Sequence, residues 1–165
     1  MSRGLLLSVA SLVAACAVLP APLRAEDATE LKIIAGAYDS PRAATIGPVH
    51  LNDYGGVVIR SGEELVALSS KAKSAKDPAI QKEMEAELAG LLEVDAIDWS
   101  KQMVLVVRGE PGTKADRVHF ESLTVEGKVL KVAWKVKQRP PHAGPGTPIA
   151  LILIDRFDGE VKFGP

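Results

Sequence analysis

The chain has 165 residues, with 20 Lys and Arg against 21 Asp and Glu, so its net charge at pH 7 is −1. Without residues 1–25, which contain Arg3, Arg24 and no acid, 18 cationic residues (20 less two) remain against 21 acidic ones. This balance argues against a nucleic-acid-binding protein, and the remaining ~140 residues are enough for one domain with a core of its own.

Residues 1–25 have the three parts of a secretory signal peptide: a cationic start, an apolar middle and an exit of small residues. Arg3 supplies the charge, and an unbroken run of apolar and small residues extends from Leu5 to Leu19. Pro20 and Pro22 end this run before it reaches the ~20 apolar residues that a membrane-spanning helix needs. The sequence therefore predicts an exported protein, periplasmic or secreted.

Cys16 is the only cysteine of the chain, and it leaves two interpretations of the signal open. Val13-Ala14-Ala15-Cys16 resembles a bacterial lipobox, in which the cysteine is acylated and anchors the mature protein to a membrane. Alternatively, Cys16 is a small residue of the signal helix that is removed by cleavage after Ala25. A membrane contact is expected only through such an anchor, and in both cases the folded part has no disulfide to stabilise it.

The first half of the mature chain predicts a linker or weak strand, followed by one strand and two helices. Residues 26–48 start polar and then contain a short apolar stretch and two prolines. Gly55–Ile59 is short and β-branched, as strands are, and Ser61 with Glu64 three residues later forms a capping box at a helix start. We assign residues 49–165 to a single α+β domain.

The second helix begins at Asp77-Pro78, an N-cap acid followed by proline at the first helical position. Ile80, Met84 and Leu88 then recur at helical spacing and predict a buried face. The residues predicted to face solvent are Lys82, Glu83, Glu85 and Glu87.

After Trp99 the pattern changes from helical to extended. Met103–Val107 is continuously apolar, which is expected of a strand that is covered on both faces. The alternation that begins at Val118 shifts its phase near Glu121-Ser122, and this shift predicts a β-bulge.

Three further patterns complete the fold prediction. Glu126-Gly127 is a tight turn into an alternating strand, Ile149–Ile154 is a second apolar run, and Asp158-Gly159 is a hairpin turn into the last strand. The helices precede these strands instead of alternating with them. The sequence therefore predicts an α+β fold, with an antiparallel β-sheet, sandwich- or barrel-like, in the C-terminal half and two helices packed on it.

Two loops rich in proline and glycine, residues 109–116 and 139–148, are the candidate interaction surfaces. Prolines restrict the backbone, so such loops can bind a partner at low entropic cost, although an ordinary irregular connection explains them equally well. The candidate residues are Glu110, Pro111, Gly112, Thr113 and Lys114 in the first loop, and Arg139, Pro140, Pro141 and His142 in the second.

The sequence has no recognisable motif for catalysis, a cofactor or a metal. His50, His119 and His142 are far apart and lack the spacing of metal ligands. No mature cysteine and no Gly-x-Ser-x-Gly serine offers a nucleophile. Asp155 and Asp158 are explained by a turn more simply than by a catalytic carboxylate pair. We expect no catalytic, cofactor-binding or metal-binding residues, and no enzyme.

A row of basic residues alternates along the strand after Gly127 and continues past its end. It either meets an acidic partner or anionic surface, or is the solvated face of an edge strand. The row consists of Lys131, Lys135, Lys137 and Arg139.

The order of the segments carries a resemblance to a known family. Gly55–Ser61 leads into a Glu-Glu-Leu helix start, and Ile97-Asp98-Trp99-Ser100-Lys101 leads into the first apolar strand. A Gly-Glu-Pro-Gly loop and the strand Val118–Ser122 follow. Over residues 55–165 this order resembles the PrcB-like protease-stability domains. The resemblance implies an exported, often lipid-anchored protein that binds and stabilises a partner without catalysis. The chain departs from that family at Gly112–Asp116, where a Thr-Gly-Gly-Tyr-like stretch is common.

Three functions remain as hypotheses. The first is an exported, non-enzymatic accessory domain that binds and stabilises another exported protein, such as a protease. The second is a chagasin-like protease inhibitor using residues 109–116 and 139–148. That family's Asn-Pro-Thr-Thr-Gly motif is missing here, and Arg139-Pro140-Pro141 stands in place of its Arg-Pro-Trp. The third is an enzyme or a small-ligand-binding domain, either of which needs a deep pocket with convergent polar groups.

Overall fold

Residues 28–38, 55–69, 72–74, 76–109, 117–137 and 149–164 are described by the structure, a computed structural model. Within these ranges the chain forms eight strands, two α-helices and a short 3₁₀ turn at residues 72–74. In chain order the elements are β1 (Thr29–Glu30), β2 (Ile33–Tyr38), β3 (Gly55–Ile59), α1 (Gly62–Ala67), α2 (Pro78–Leu91), β4 (Gln102–Arg108), β5 (Arg117–Glu126), β6 (Val129–Lys137), β7 (Ile149–Asp155) and β8 (Glu160–Gly164).

The strands form two four-stranded sheets that pack face to face. Sheet A has the order β1-β5-β6-β8, and sheet B has the order β2-β7-β4-β3. Neighbouring strands are antiparallel except for β6 and β8, which are parallel. The predicted α+β fold, with sandwich-like sheets rich in antiparallel pairs and two helices packed on them, is confirmed.

The middle strands of sheet B, β4 and β7, are buried on both faces. Val104 of β4 packs with Leu65 and Leu88 of the helices, whereas Leu105 packs toward sheet A with Leu130. Successive side chains of a strand point to opposite faces, so a strand between helices and a second sheet must be apolar at every position. This arrangement confirms the prediction drawn from the continuous apolar run, and the layers follow the order helices, sheet B, sheet A.

Both helix starts show the predicted capping chemistry. The backbone N–H of Glu64 donates to the Oγ of Ser61 at 3.1 Å, and the carboxylate of Glu64 accepts the backbone N–H of Arg60 at 2.6 Å. The carboxylate of Asp77 accepts the N–H of Ala79 at 2.9 Å at the start of α2. The bonds from the N–H groups of Glu64 and Ala79 satisfy donors that the first turn of a helix leaves unpaired, whereas the bond from Arg60 holds the residue before the N-cap.

The predicted buried face of α2 is confirmed, because Met84 and Leu88 are buried and Ile80 packs against the same cluster. The prediction that Glu85 faces solvent is wrong. Glu85 is half-buried, and its Oε1 accepts the indole Nε1–H of Trp99 at 3.0 Å. A half-buried tryptophan needs such an acceptor, and Glu85 is the residue of α2 that supplies it.

The β5–β6 hairpin contains the predicted bulge and the predicted tight turn. The register slips between Phe120 and Ser122, so Glu121 is the extra residue of the bulge. Gly127, in the turn between the paired residues Glu126 and Val129, has a φ of +58°. This left-handed conformation is one that glycine adopts without a steric penalty.

The prediction of a hairpin between β7 and β8 is wrong. β7 lies in sheet B, and residues 156–159 carry the chain across to sheet A, where β8 pairs with β6. β7 has β2 on one side and β4 on the other, so it offers no edge for a third strand.

The short apolar stretch within residues 26–48 belongs to both sheets. β1 pairs with β5, and the N–H of Leu31 donates to the carbonyl of Leu123 at 2.8 Å. The chain then moves to sheet B, where β2 pairs with β7. The register of β2 slips between Ile33 and Ala35, as strands commonly do where they switch sheets.

Candidate interaction surface

The two candidate loops begin and end at the same end of the sandwich. β4 ends at Arg108, which is the register partner of Ile149 at the start of β7. β5 starts at Arg117, which is the register partner of Lys137 at the end of β6. Each loop therefore connects the two sheets at one end, which we call the loop end and define by these four residues.

The nine candidate residues of these loops lie outside the described residues, so the structure gives the strand ends that hold them. They are Glu110, Pro111, Gly112, Thr113, Lys114, Arg139, Pro140, Pro141 and His142. The first loop runs from β4 to β5 and the second from β6 to β7. The structure thus brings the attachment points of all nine residues together.

A small apolar cluster supports the loop end. Val107 of β4, Val118 of β5 and Ala150 of β7 are buried together, one residue inside the strand ends. Because the cluster joins sheet A to sheet B, it fixes the four strand ends relative to one another. The half-buried aromatic residues that pack against it are Phe120, Trp134 and Phe163.

The loop end is rich in positive charge. Residues 108–117 and 137–149 contain five cationic and two acidic residues. Such an excess favours a partner surface with acidic residues, since complementary charge speeds encounter and disfavours wrong partners. The cationic residues are Arg108, Lys114, Arg117, Lys137 and Arg139, and the acidic ones are Glu110 and Asp116.

The predicted basic row is partly neutralised by neighbouring acids. Lys131 Nζ lies 2.5 Å from a carboxylate oxygen of Glu126, and Lys135 forms an ion pair with Glu121. All four side chains are about half exposed, and exposed pairs of this kind contribute only ~0–1 kcal/mol. For Lys131 and Lys135 this arrangement favours the solvated-face interpretation, whereas Lys137 belongs to the loop end.

The opposite end of the sandwich, which we call the turn end, consists of the turns at residues 98–101, 127–128 and 156–159. Arg156 donates from Nη1 to the carbonyl of Trp99 at 2.6 Å and from Nε to Oδ1 of Asp158 at 2.8 Å. Arg60 donates from Nη2 to the carbonyl of Gly159 at 3.2 Å. No sequence pattern points to either arginine, because a single arginine after a strand belongs to no repeat or motif.

A cleft of about 380 Å³ opens where the chain moves from β1 to β2. Residues 30–33 and 121–123 line it. Its charged residues Glu30, Lys32 and Glu121 are exposed, so the polar groups do not converge in a water-excluded site. The cleft therefore gives the small-ligand hypothesis little support.

The remaining residues weighed for chemistry do not form a site within the described part of the chain. His119 is half-buried on β5, whereas His50 and His142 lie outside the described residues. Among the residues described, no three His, Cys, Asp or Glu side chains are grouped so that they could hold a metal ion. Asp158 is bound to Arg156, and Asp155 ends β7 as the register partner of Gln102.

Cys16 and the predicted signal peptide also lie outside the described residues. In the described part, neither helix has the length and apolarity needed to cross a membrane.

Comparison of the chain with protein-family models, curated proteins and solved structures finds no match. Support for a function therefore comes from the geometry of the loop end and from the resemblance in segment order.

Proposed function

We propose that the chain is an exported, non-enzymatic accessory domain that binds another extracytoplasmic protein, such as a protease, through its loop end and stabilises it. The main support is the position of the four residues that define the loop end: Arg108 pairs with Ile149, and Arg117 pairs with Lys137. Recognition loops act most precisely when a rigid scaffold holds their ends. The apolar cluster, one residue inside the strand ends, is such a scaffold. The resemblance to PrcB-like domains supports the same role.

The partner that fits this end presents acidic residues around a surface that accepts two loops. The prolines at 111, 140, 141, 145 and 148 restrict the loop backbones, which lowers the entropy lost on binding. The surplus of Lys and Arg speeds the first encounter, so association is expected to slow as the salt concentration rises.

A capture experiment with matched variants tests this proposal. The mature chain, carrying a tag, is incubated with extract of the compartment to which it is exported. We expect one partner in stoichiometric amount, which is lost with Pro111→Ala/Arg139→Ala and retained with Lys162→Ala, an exposed site on β8. The captured protein should also survive longer at elevated temperature when the chain is added. A chain that elutes alone at every salt concentration, or a loop variant that captures the same partner equally well, contradicts the proposal.

The same loop geometry favours inhibition of a protease as a second candidate function. Two loops whose strand ends lie together at one end of the sandwich are suited to entering one active-site cleft. An inhibitor lowers the partner's turnover, whereas a stabiliser prolongs its activity, so assays of rate and half-life separate the two. Pro111→Ala/Arg139→Ala should abolish inhibition, and failure to inhibit any member of a panel of extracytoplasmic proteases removes this candidate.

Export and anchoring are part of the proposal and have their own measurement. Mass spectrometry of the mature N-terminus should find either a chain that starts at Glu26 or an acylated Cys16. A mature protein that starts at Met1 contradicts export through this segment.

A further inference from the structure

We draw no further inference here: the strongest candidate, the uncharged outer edge of strand β2 with its exposed Ile34, carries none because nothing among the described residues shows what covers this edge.

Discussion

The turn end and the loop end of the sandwich are formed by the same strands but are stabilised in different ways. At the turn end, connections between strands are held by side chains: Arg156 binds the carbonyl of Trp99, and Arg60 binds that of Gly159. At the loop end, the strand ends rest on a small apolar cluster that includes Val107 and Val118. Hydrogen bonds to backbone carbonyls fix the conformation of a turn. The apolar cluster, in contrast, fixes only the strand ends from which the loops start.

This difference separates stability from recognition along the same strands. Substitutions at the turn end should lower the free energy of unfolding and leave partner binding unchanged in the folded fraction. Substitutions in the two loops should do the opposite. The strands connect the two ends, so a substitution in the middle of a strand should affect both stability and recognition. The size of that effect is the reference for the substitutions at either end.

The largest effect on stability is expected for Leu105→Ala in β4, because this substitution weakens the scaffold that both ends share. Leu105 is fully buried between the two sheets, and truncation leaves a cavity in the middle of the strand that connects both ends. We expect a loss of about 2–5 kcal/mol in the free energy of unfolding, measured by urea denaturation. Val136→Ala, at a side chain that is 44% exposed, should cost less than about 1 kcal/mol. Similar costs at both positions would contradict the three-layer packing.

Arg156→Ala tests the turn end alone. The guanidinium group of Arg156 holds the carbonyl of Trp99 and the carboxylate of Asp158, which lie on two different connections. Hydrogen bonds from charged donors contribute about 1.5–3 kcal/mol, so we expect a loss of that size in urea denaturation with partner capture unchanged. The control Lys162→Ala should stay within about 0.5 kcal/mol of wild type. Loss of capture by folded Arg156→Ala protein would show that the turn end takes part in recognition.

Gly56→Ala tests how tightly the strands pack beside the loop end. Gly56 is the register partner of Val107, and the ring of Phe163 occupies the space that a methyl group on Gly56 would need. The added carbon must displace an aromatic ring between two sheets, so we expect a loss of about 1–3 kcal/mol in thermal or urea unfolding.

The same substitution has a matched control with the opposite expected sign. A methyl group on Gly90, in α2, meets no neighbouring atom within 4 Å. Gly90→Ala should therefore stabilise the protein by about 0.4–1 kcal/mol, because alanine loses less backbone entropy in a helix. If both variants shift stability in the same direction, the packing of Phe163 on Gly56 is not what limits that position.

Sequence patterns predicted the parts of this fold that repeat or obey a local rule. The capping residues Ser61 and Asp77, the doubly covered strand at Met103–Val107 and the bulge at Glu121 all follow from periodicity or backbone chemistry. The crossing of β8 to sheet A could not be predicted, because it depends on which strand already has two neighbours. A turn motif such as Asp158-Gly159 fixes a change of direction and does not choose the partner strand.

The candidate site was predictable only in part for a similar reason. Proline and glycine content marked residues 109–116 and 139–148 as exceptional, but no pattern relates one loop to the other. Their common position depends on two long-range pairs, Arg108 with Ile149 and Arg117 with Lys137. Glu85 was misplaced because helical spacing predicts which face a residue lies on and not that a Trp99 indole needs an acceptor.

The smallest effect is expected from pH at the turn end, where Asp98 closes the turn before β4. Its carboxylate accepts the hydroxyl of Ser100 at 2.5 Å and lies 3.2 Å from the Nζ of Lys101. The Ser100 hydrogen bond, followed by the bond to Lys101, lowers the pKa of Asp98 below its ordinary value of 3.8. Because the pKa is lower in the folded chain than in the unfolded one, the ionised carboxylate stabilises the fold at neutral pH. This stabilisation should be lost as the pH falls from the ordinary pKa through the lowered one.

An NMR titration of the Asp98 carboxyl carbon should show the depressed pKa, and Ser100→Ala should move it back toward the ordinary value. In thermal melts, Asp98→Asn should then lose less stability at acidic pH than wild type. If the dependence of stability on acidic pH is the same for both proteins, this turn contributes nothing to the stability of the turn end.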